Sequence, residues 1–505
     1  MGNYIIAHDL GTSGNKAVLY EKNGNVKQST QYAYQTFYPH PGFVEQRAED
    51  WWKAVCETTR QLLLISGVSA TEIEAITFSA QMMGCLPVDR QGKPLRNMII
   101  WADTRATEQE AWMKKQISME EVYRITGHRI SASYTAAKLL WIKENEPDLY
   151  QKAYKILQAK DYLIYRLTGK MVTDYSDASG TNLFDLVNKK WCQKLLEAWG
   201  IDEERLPNPY PSTAIAGGLT KEAAAETSLL AGTPVVIGGG DGSCACVGAG
   251  VVEEGSAYNV LGTSSWISIA SRTPLFDQEM RTFNWVHLDP EYYTPCGTMQ
   301  AAGYSYSWYR DNFCTQDREK DQYLNDLVLQ STPGGGGLIY LPYLLGERSP
   351  RWDSAARGAF IGMNANTTNT EMTRAVMEGV AFNLRLILEA LDREDKIAQI
   401  RMIGGGANGK AWLQILADIW NKPIDIPVYL SEATSLGAAI CAGVGIGMYP
   451  DFKVVHQINS IRETIQPNAK SKSCYDRLYE IFNLSYQQLK PIYQQLQEVR
   501  DKYYD

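Results

Sequence analysis

A four-residue turn occurs twice in this chain and constrains its fold more than any other feature. Leu10-Gly11-Thr12-Ser13 lies between short apolar runs at 4–8 and 16–20, and Leu261-Gly262-Thr263-Ser264 lies between runs at 256–261 and 266–270. Each copy reads as strand, glycine turn, strand. Each also opens one half of a chain of 505 residues, a length beyond what one hydrophobic core supports. Repetition in matching context indicates two related halves. The domains are expected at 1–247 and 248–505, with the boundary in a stretch of glycine and small residues. In the first half, residues 22–25 close a hairpin, 48–65 carry apolar residues at helical spacing, and 73–79 form a further strand. Strand hairpins followed by a helix and another strand predict a mixed α/β class. The second half closes with helical patterns at 370–391, 411–420 and 475–499.

Composition excludes several functions. A net charge of −8 with no Lys/Arg run leaves no basic stripe for a nucleic acid. No stretch is long and apolar enough to span a membrane, and the N-terminus lacks the pattern of a secretion signal. The nine cysteines are scattered without a CxxC pair, so a reduced, cytoplasmic protein is expected. The five histidines share no ligand spacing, which argues against zinc.

Four segments carry chemistry. In Asp9-Leu10-Gly11-Thr12-Ser13-Gly14-Asn15-Lys16, a strand delivers an aspartate to its C-terminal end. A glycine turn then presents amides, two hydroxyls and a lysine. Glycine lets backbone approach a phosphate closely, and amides and hydroxyls donate to its oxygens. The aspartate repels phosphate, so its fitting role is to hold Mg²⁺. A plain hairpin turn is the competing reading of this segment alone. The second turn, with Gly262 and Thr263, favours two phosphate grips facing each other across a cleft. Asp241, inside Gly238-Gly239-Gly240-Asp241-Gly242, sits where backbone is bare. It can accept a proton from an attacking hydroxyl, or simply cap a helix that begins near Ser243. Gly404-Gly405-Gly406-Ala407-Asn408 follows the strand pattern 400–403 and leads into a helix. It can hold a nucleotide or be a tight strand-to-helix turn.

In this order the motifs resemble the FGGY carbohydrate kinases of the sugar kinase, Hsp70 and actin superfamily, over nearly the whole chain. DLGTSGNK and LGTSSW are similar to the two phosphate motifs of that family, and GGGDG to its catalytic segment. SYTAAKLLWIKEN (133–145), the segment 160–181, LPYLLGERSPRWD, IGGGANGKAWLQILADI and EATSLGAA match further family blocks. The resemblance implies an α/β, two-domain, ribonuclease H-like fold with a central cleft, and an ATP- and Mg²⁺-dependent kinase acting on a small sugar. It implies that Gly11, Thr12, Ser13, Asn15, Lys16, Gly262, Thr263, Gly405, Gly406, Ala407 and Asn408 bind the nucleotide. Asp9 and Asp241 would serve the metal, and Asp241 would be the catalytic base.

Within the family the chain is most similar to xylulose kinases. QMMG at 81–84 and WADTR at 101–105 imply acceptor contacts from Gln81, Met82, Met83, Trp101 and Asp103, with Asp241 and Gly242. Met83 stands where those enzymes usually carry a histidine, and Gly242 where asparagine is common after the base. Both changes remove hydrogen-bonding groups from a hydroxyl-reading pocket. Ribulose, glycerol, erythritol, gluconate or autoinducer-2 are the alternative acceptors. A non-catalytic nucleotide switch is the alternative from another class. A homodimer is left open.

Overall fold

The computed structural model describes residues 3–314, 316 and 319–504. These form two lobes, each built on a seven-stranded sheet. In the first sheet, Val26–Ala33, Gly14–Glu21, Tyr4–Leu10, Ile73–Ala80, Pro234–Val236 and Ile215–Gly218 lie side by side, and Gly239–Gly240 pairs with Ile73–Ala80. The central strands are buried because their apolar runs are covered on both faces. The edge strand Val26–Ala33 is mostly polar and accessible, which discourages edge-to-edge pairing.

The second sheet repeats this order with Tyr293–Met299, Ser265–Ile269, Ala257–Leu261, Ile400–Ile403, Ile424–Pro427 and Ile461–Ile465, and adds Phe283–Val286 at one edge. In each sheet the first strand pairs antiparallel with the second across the LGTS turn. Its other flank pairs parallel with a later strand. The duplication read from four residues is thus a duplication of topology. The copies differ in one respect. Leu10 pairs with Asn15, whereas Leu261 pairs with Ser265, so the first turn is one residue longer.

The helix Ala48–Ser66 buries Trp51 and Trp52 against the first sheet and ends at Gly67 in the left-handed conformation. The tyrosine-rich tail is the helix Lys472–Tyr503, which packs Tyr475, Tyr479, Phe482 and Tyr486 into the second lobe. Two helices link the lobes. Asp241–Gly248 crosses Ala433–Gly445 so closely that a Cβ on Gly248 would stand 1.7 Å from the Ala433 carbonyl oxygen. The split at 247/248 falls at the end of the first of these helices. Ala433–Gly445 lies in the second half of the sequence, yet it packs on Tyr4–Leu10 and Ile73–Ala80 of the first sheet. All nine cysteines are free thiols, eight of them buried. Among the described residues no helix is long and apolar enough to cross a membrane.

Candidate active site

The first glycine turn is braced from outside. Tyr34 donates its hydroxyl to the Gly11 and Gly14 carbonyls (2.5 and 3.1 Å), and Gln46 Nε2 donates to the Thr12 carbonyl (2.6 Å). Trp101 Nε1 donates to Thr12 Oγ1 at 3.0 Å. The bonds from Tyr34 and Gln46 occupy backbone acceptors, the one from Trp101 occupies the Thr12 hydroxyl, and the Ser13 side chain is exposed. At the strand end, Asp9 is paired in register with Ser79, whose hydroxyl donates to Asp9 Oδ1 at 3.0 Å. Burial raises the Asp9 carboxyl to about 6 against the lowering pull of Ser79 and Lys16.

Two members of this segment are placed otherwise than expected. Asn15 is buried on the far face of its strand, where its amide donates to Thr58 Oγ1 (2.9 Å) and bonds His8 Nδ1 (3.0 Å). Strand alternation takes it away from the cleft. Lys16 Nζ is paired with Glu432 Oε1 at 3.0 Å, across the lobe junction.

The second turn borders a cavity of ≈ 880 Å³ in the second lobe, lined among others by Gly262, Thr263, Tyr306, Gly405, Gly406 and Asn408. Its glycines are there for close approach. A Cβ on Gly406 would stand 2.4 Å from Leu261 Cγ, and one on Gly303 would stand 2.4 Å from the Gly262 carbonyl oxygen. Bare backbone beside a cavity of this size suits a nucleotide. Ala407 is 1% exposed and packs into the core behind the turn, so it lines nothing. Asn325 and Tyr306, from helices with no recognisable motif, complete the cavity wall.

Asp241 is the first residue of its helix, with Gly240 as N-cap. Its Oδ1 accepts the Gly242 N–H at 2.8 Å. Capping and base are therefore not exclusive readings, because one oxygen serves the helix end and the other is left for chemistry. The residue is open to the cleft, while the surrounding walls strip its carboxylate of most water. Burial, followed by the negative charge of Asp9, raises its carboxyl to about 7. Two carboxyls pushed upward by burial, one of them also by the charge of the other, form a site that a divalent cation would relieve. Among the described residues no group of three or more His, Cys, Asp or Glu could hold a metal. A Mg²⁺ held by two carboxylates and phosphate oxygens needs no such group.

Beside the base, Gln81 and Met82 are buried and Met83 is half-buried. Gln81 donates to Gln46 Oε1 (2.7 Å), and its own Oε1 is buried without a protein partner. Met83 has φ +64°, unusual for a side-chain-bearing residue, and its carbonyl accepts Lys138 Nζ at 2.8 Å. Met82 and Met83 sit with Tyr134 of the first lobe against Trp266, Phe283, Trp285 and Trp352 of the second. A Cβ on Gly242 would meet open space. Asp103 lies behind this pocket rather than in it. It is fully buried, accepting the Val44 N–H (2.5 Å) and pairing with Arg105 (2.8 Å). Trp101 is 37% exposed at the cleft rim, bonded to the first turn. Gln46 had no signal in the sequence, and Tyr134 stood in the 133–145 block without a role, since distant segments bring them here.

The chain is similar to known proteins over nearly its whole length. Residues 4–248 match the N-terminal domain of the FGGY family of carbohydrate kinases, and residues 257–446 match its C-terminal domain. A xylulose kinase of Bacillus subtilis (strain 168) is 34% identical over 98% of this chain and 99% of its own. A gluconokinase of the same organism is 30% identical, covering 96% of each chain. The solved gluconate kinase and ligand-bound xylulose kinase of Lactobacillus acidophilus each superpose with a TM-score of 0.93 at 29% identity, covering 98% of this chain and 99% of theirs.

Proposed function

Because the chain belongs to the FGGY family of carbohydrate kinases, we propose that it transfers the terminal phosphoryl group of ATP to a primary hydroxyl of a ketopentose, with Asp241 as general base. The observation that carries this reading is the Asp241 carboxylate, open to the cleft, poised near neutrality and adjacent to Asp9. A base works best when its pKa lies near the operating pH. The acceptor hydroxyl gives its proton to Asp241 as its oxygen bonds the γ-phosphorus. The bond from that phosphorus to the bridging oxygen breaks and ADP leaves. Such transfer depends on in-line positioning and charge neutralisation more than on covalent chemistry.

The nucleotide fits the cavity bounded by Gly262, Thr263, Gly405, Gly406 and Asn408. Thr12 and Ser13 would meet the phosphates from the other lobe, and Lys16 would join them only by leaving Glu432. Asp9 and Asp241 would hold Mg²⁺, which neutralises phosphate charge when bound. Gln81, Met82, Met83, Trp101 and Gly242 would border the acceptor. A ketopentose is favoured by the B. subtilis and L. acidophilus xylulose kinases, while the gluconate kinases of the same organisms make gluconate the competing acceptor.

ADP release with a panel of pentuloses, polyols, hexoses and gluconate tests the proposal. Xylulose should give the highest kcat/KM, and Asp241→Asn should lower that rate by roughly 10²–10⁴-fold. Faster turnover of gluconate would reassign the acceptor. Bound ATP with no stimulation by any sugar would favour a nucleotide switch.

A further inference from the structure

The peptide that precedes Asp241 is gripped by a fully buried polar chain. The Gly240 N–H donates to Ser176 Oγ at 2.9 Å. Ser176 gives its only hydroxyl proton to Asp174 Oδ2 at 2.5 Å, so a serine lone pair must face Gly240. The other oxygen of Asp174 is 3.0 Å from Lys160 Nζ. Lys160, Asp174 and Ser176 are all inaccessible to solvent. Charges placed this deep are costly, and such pairs are poor evidence of net stabilisation. Their use is geometric, because a charge-assisted bond in a dry site is short and directional.

The glycines of the base segment support this. A Cβ on Gly239 would stand 2.8 Å from Ser176 Oγ, and one on Gly240 would stand 2.3 Å from Met82 Sδ. The segment is squeezed between the serine and the acceptor wall, with no room for a second posture. The short helix Tyr175–Ser179 also reaches the second lobe, where Ser179 Oγ accepts the Val286 N–H at 3.3 Å. It touches the base segment on one side and the opposite sheet on the other.

We propose that Ser176, anchored by the buried Asp174–Lys160 pair, is a positioning residue that sets the direction of the Asp241 carboxylate by holding the Gly240 amide. This rests on the reading of Asp241 as the base. Ser212 supplies the control. Its hydroxyl donates to the same Asp174 oxygen at 2.7 Å, but its side chain makes no hydrogen bond to the base segment. Ser176→Ala should lower kcat at least about 10-fold while KM for ATP stays within about twofold. Ser212→Ala should leave kcat within about twofold, whatever it does to the melting temperature. Equal kcat in the two variants, both intact or both reduced, overturns the proposal. If Ser176→Ala does not fold, Ser176→Cys gives the same comparison, since it keeps nearly the same volume with a weaker acceptor. Asp241→Asn is measured alongside. Full activity in that variant removes the base reading itself. An inactive Asp241→Asn with an unaffected Ser176→Ala removes only the positioning role.

Discussion

At the scale of single residues, the proposed site turns on two carboxylates whose protons burial holds on. Burial is the larger cause of both shifts, and the charge of Asp9 adds to that at Asp241. A base must be deprotonated to accept a proton. In kcat/KM, which reports the free enzyme, the rate should therefore fall as pH drops through the raised value near 7 and level off above it, and Mg²⁺ held by both carboxylates should move that limb to lower pH. Ser79 lowers the Asp9 carboxyl by donating to it. Removing that donor with Ser79→Ala should raise the Asp9 pKa and move the Asp9-dependent limb to higher pH. Initial rates of ADP release from about pH 5 to about pH 9 check both expectations, and a flat profile through neutrality would refute the first. The turns that carry Asp9, Thr12, Thr263 and Asp241 were legible because glycines announce bare backbone locally. Asn15, Asp103 and Ala407 were not, because which face of an element is buried depends on partners far away in sequence.

At the scale of elements, the acceptor wall depends on one buried lysine. Lys138, on the helix Thr135–Asn145, donates to the carbonyls of Met83 (2.8 Å), Ile100 (2.8 Å) and Ser133 (2.6 Å). Burial pulls its ammonium down to about 7, while the three acceptors favour the proton staying on. The bond to Met83 secures a backbone held at φ +64°. Lys138→Met would fit the space and leave the Met83 and Ser133 carbonyls without donors, while the Ile100 carbonyl keeps the Asp103 N–H. Each such loss costs about 1–3 kcal/mol where water cannot enter. The melting temperature should drop by roughly 5 °C or more, and KM for the sugar should rise more than KM for ATP. Calorimetry with steady-state kinetics on both substrates checks this. An unchanged melting temperature would mean that water replaces the ammonium. The family pattern drew attention to Lys138, but its task was not legible. A lysine in an apolar helix gives no hint of which carbonyls converge on it.

At the scale of the whole molecule, the cavity proposed for the nucleotide belongs to one lobe and the proposed base to the other, so on that reading catalysis depends on how the lobes are joined. The LGTS repeat made the two halves legible. It could not show that Ala433–Gly445, from the second half, would close over the first sheet, since that packing is decided between elements. The joint rests on missing side chains. A Cβ on Gly437 would stand 1.9 Å from the Cys244 carbonyl oxygen and 2.9 Å from the Gly248 nitrogen, and neither backbone atom can swing aside. Gly437→Ala must therefore push the crossing helices apart. Overpacking of this kind costs about 1–3 kcal/mol, and here the strain is relieved by changing the angle between lobes. ATP affinity should fall less than turnover, because the cavity is lined by the second lobe and only the phosphate contacts of Thr12 and Ser13 are displaced. Sugar-dependent turnover should fall by roughly 10²-fold, as a displacement of about 1 Å at the reacting atoms suffices for that. Gly405→Ala provides the opposite case. A Cβ there meets open space within the cavity, so stability should hold while nucleotide affinity changes. Titration calorimetry with ATP, melting curves and ADP release on both variants separate the two. A Gly437→Ala protein with wild-type melting and turnover would show that the helix crossing does not set the lobe angle.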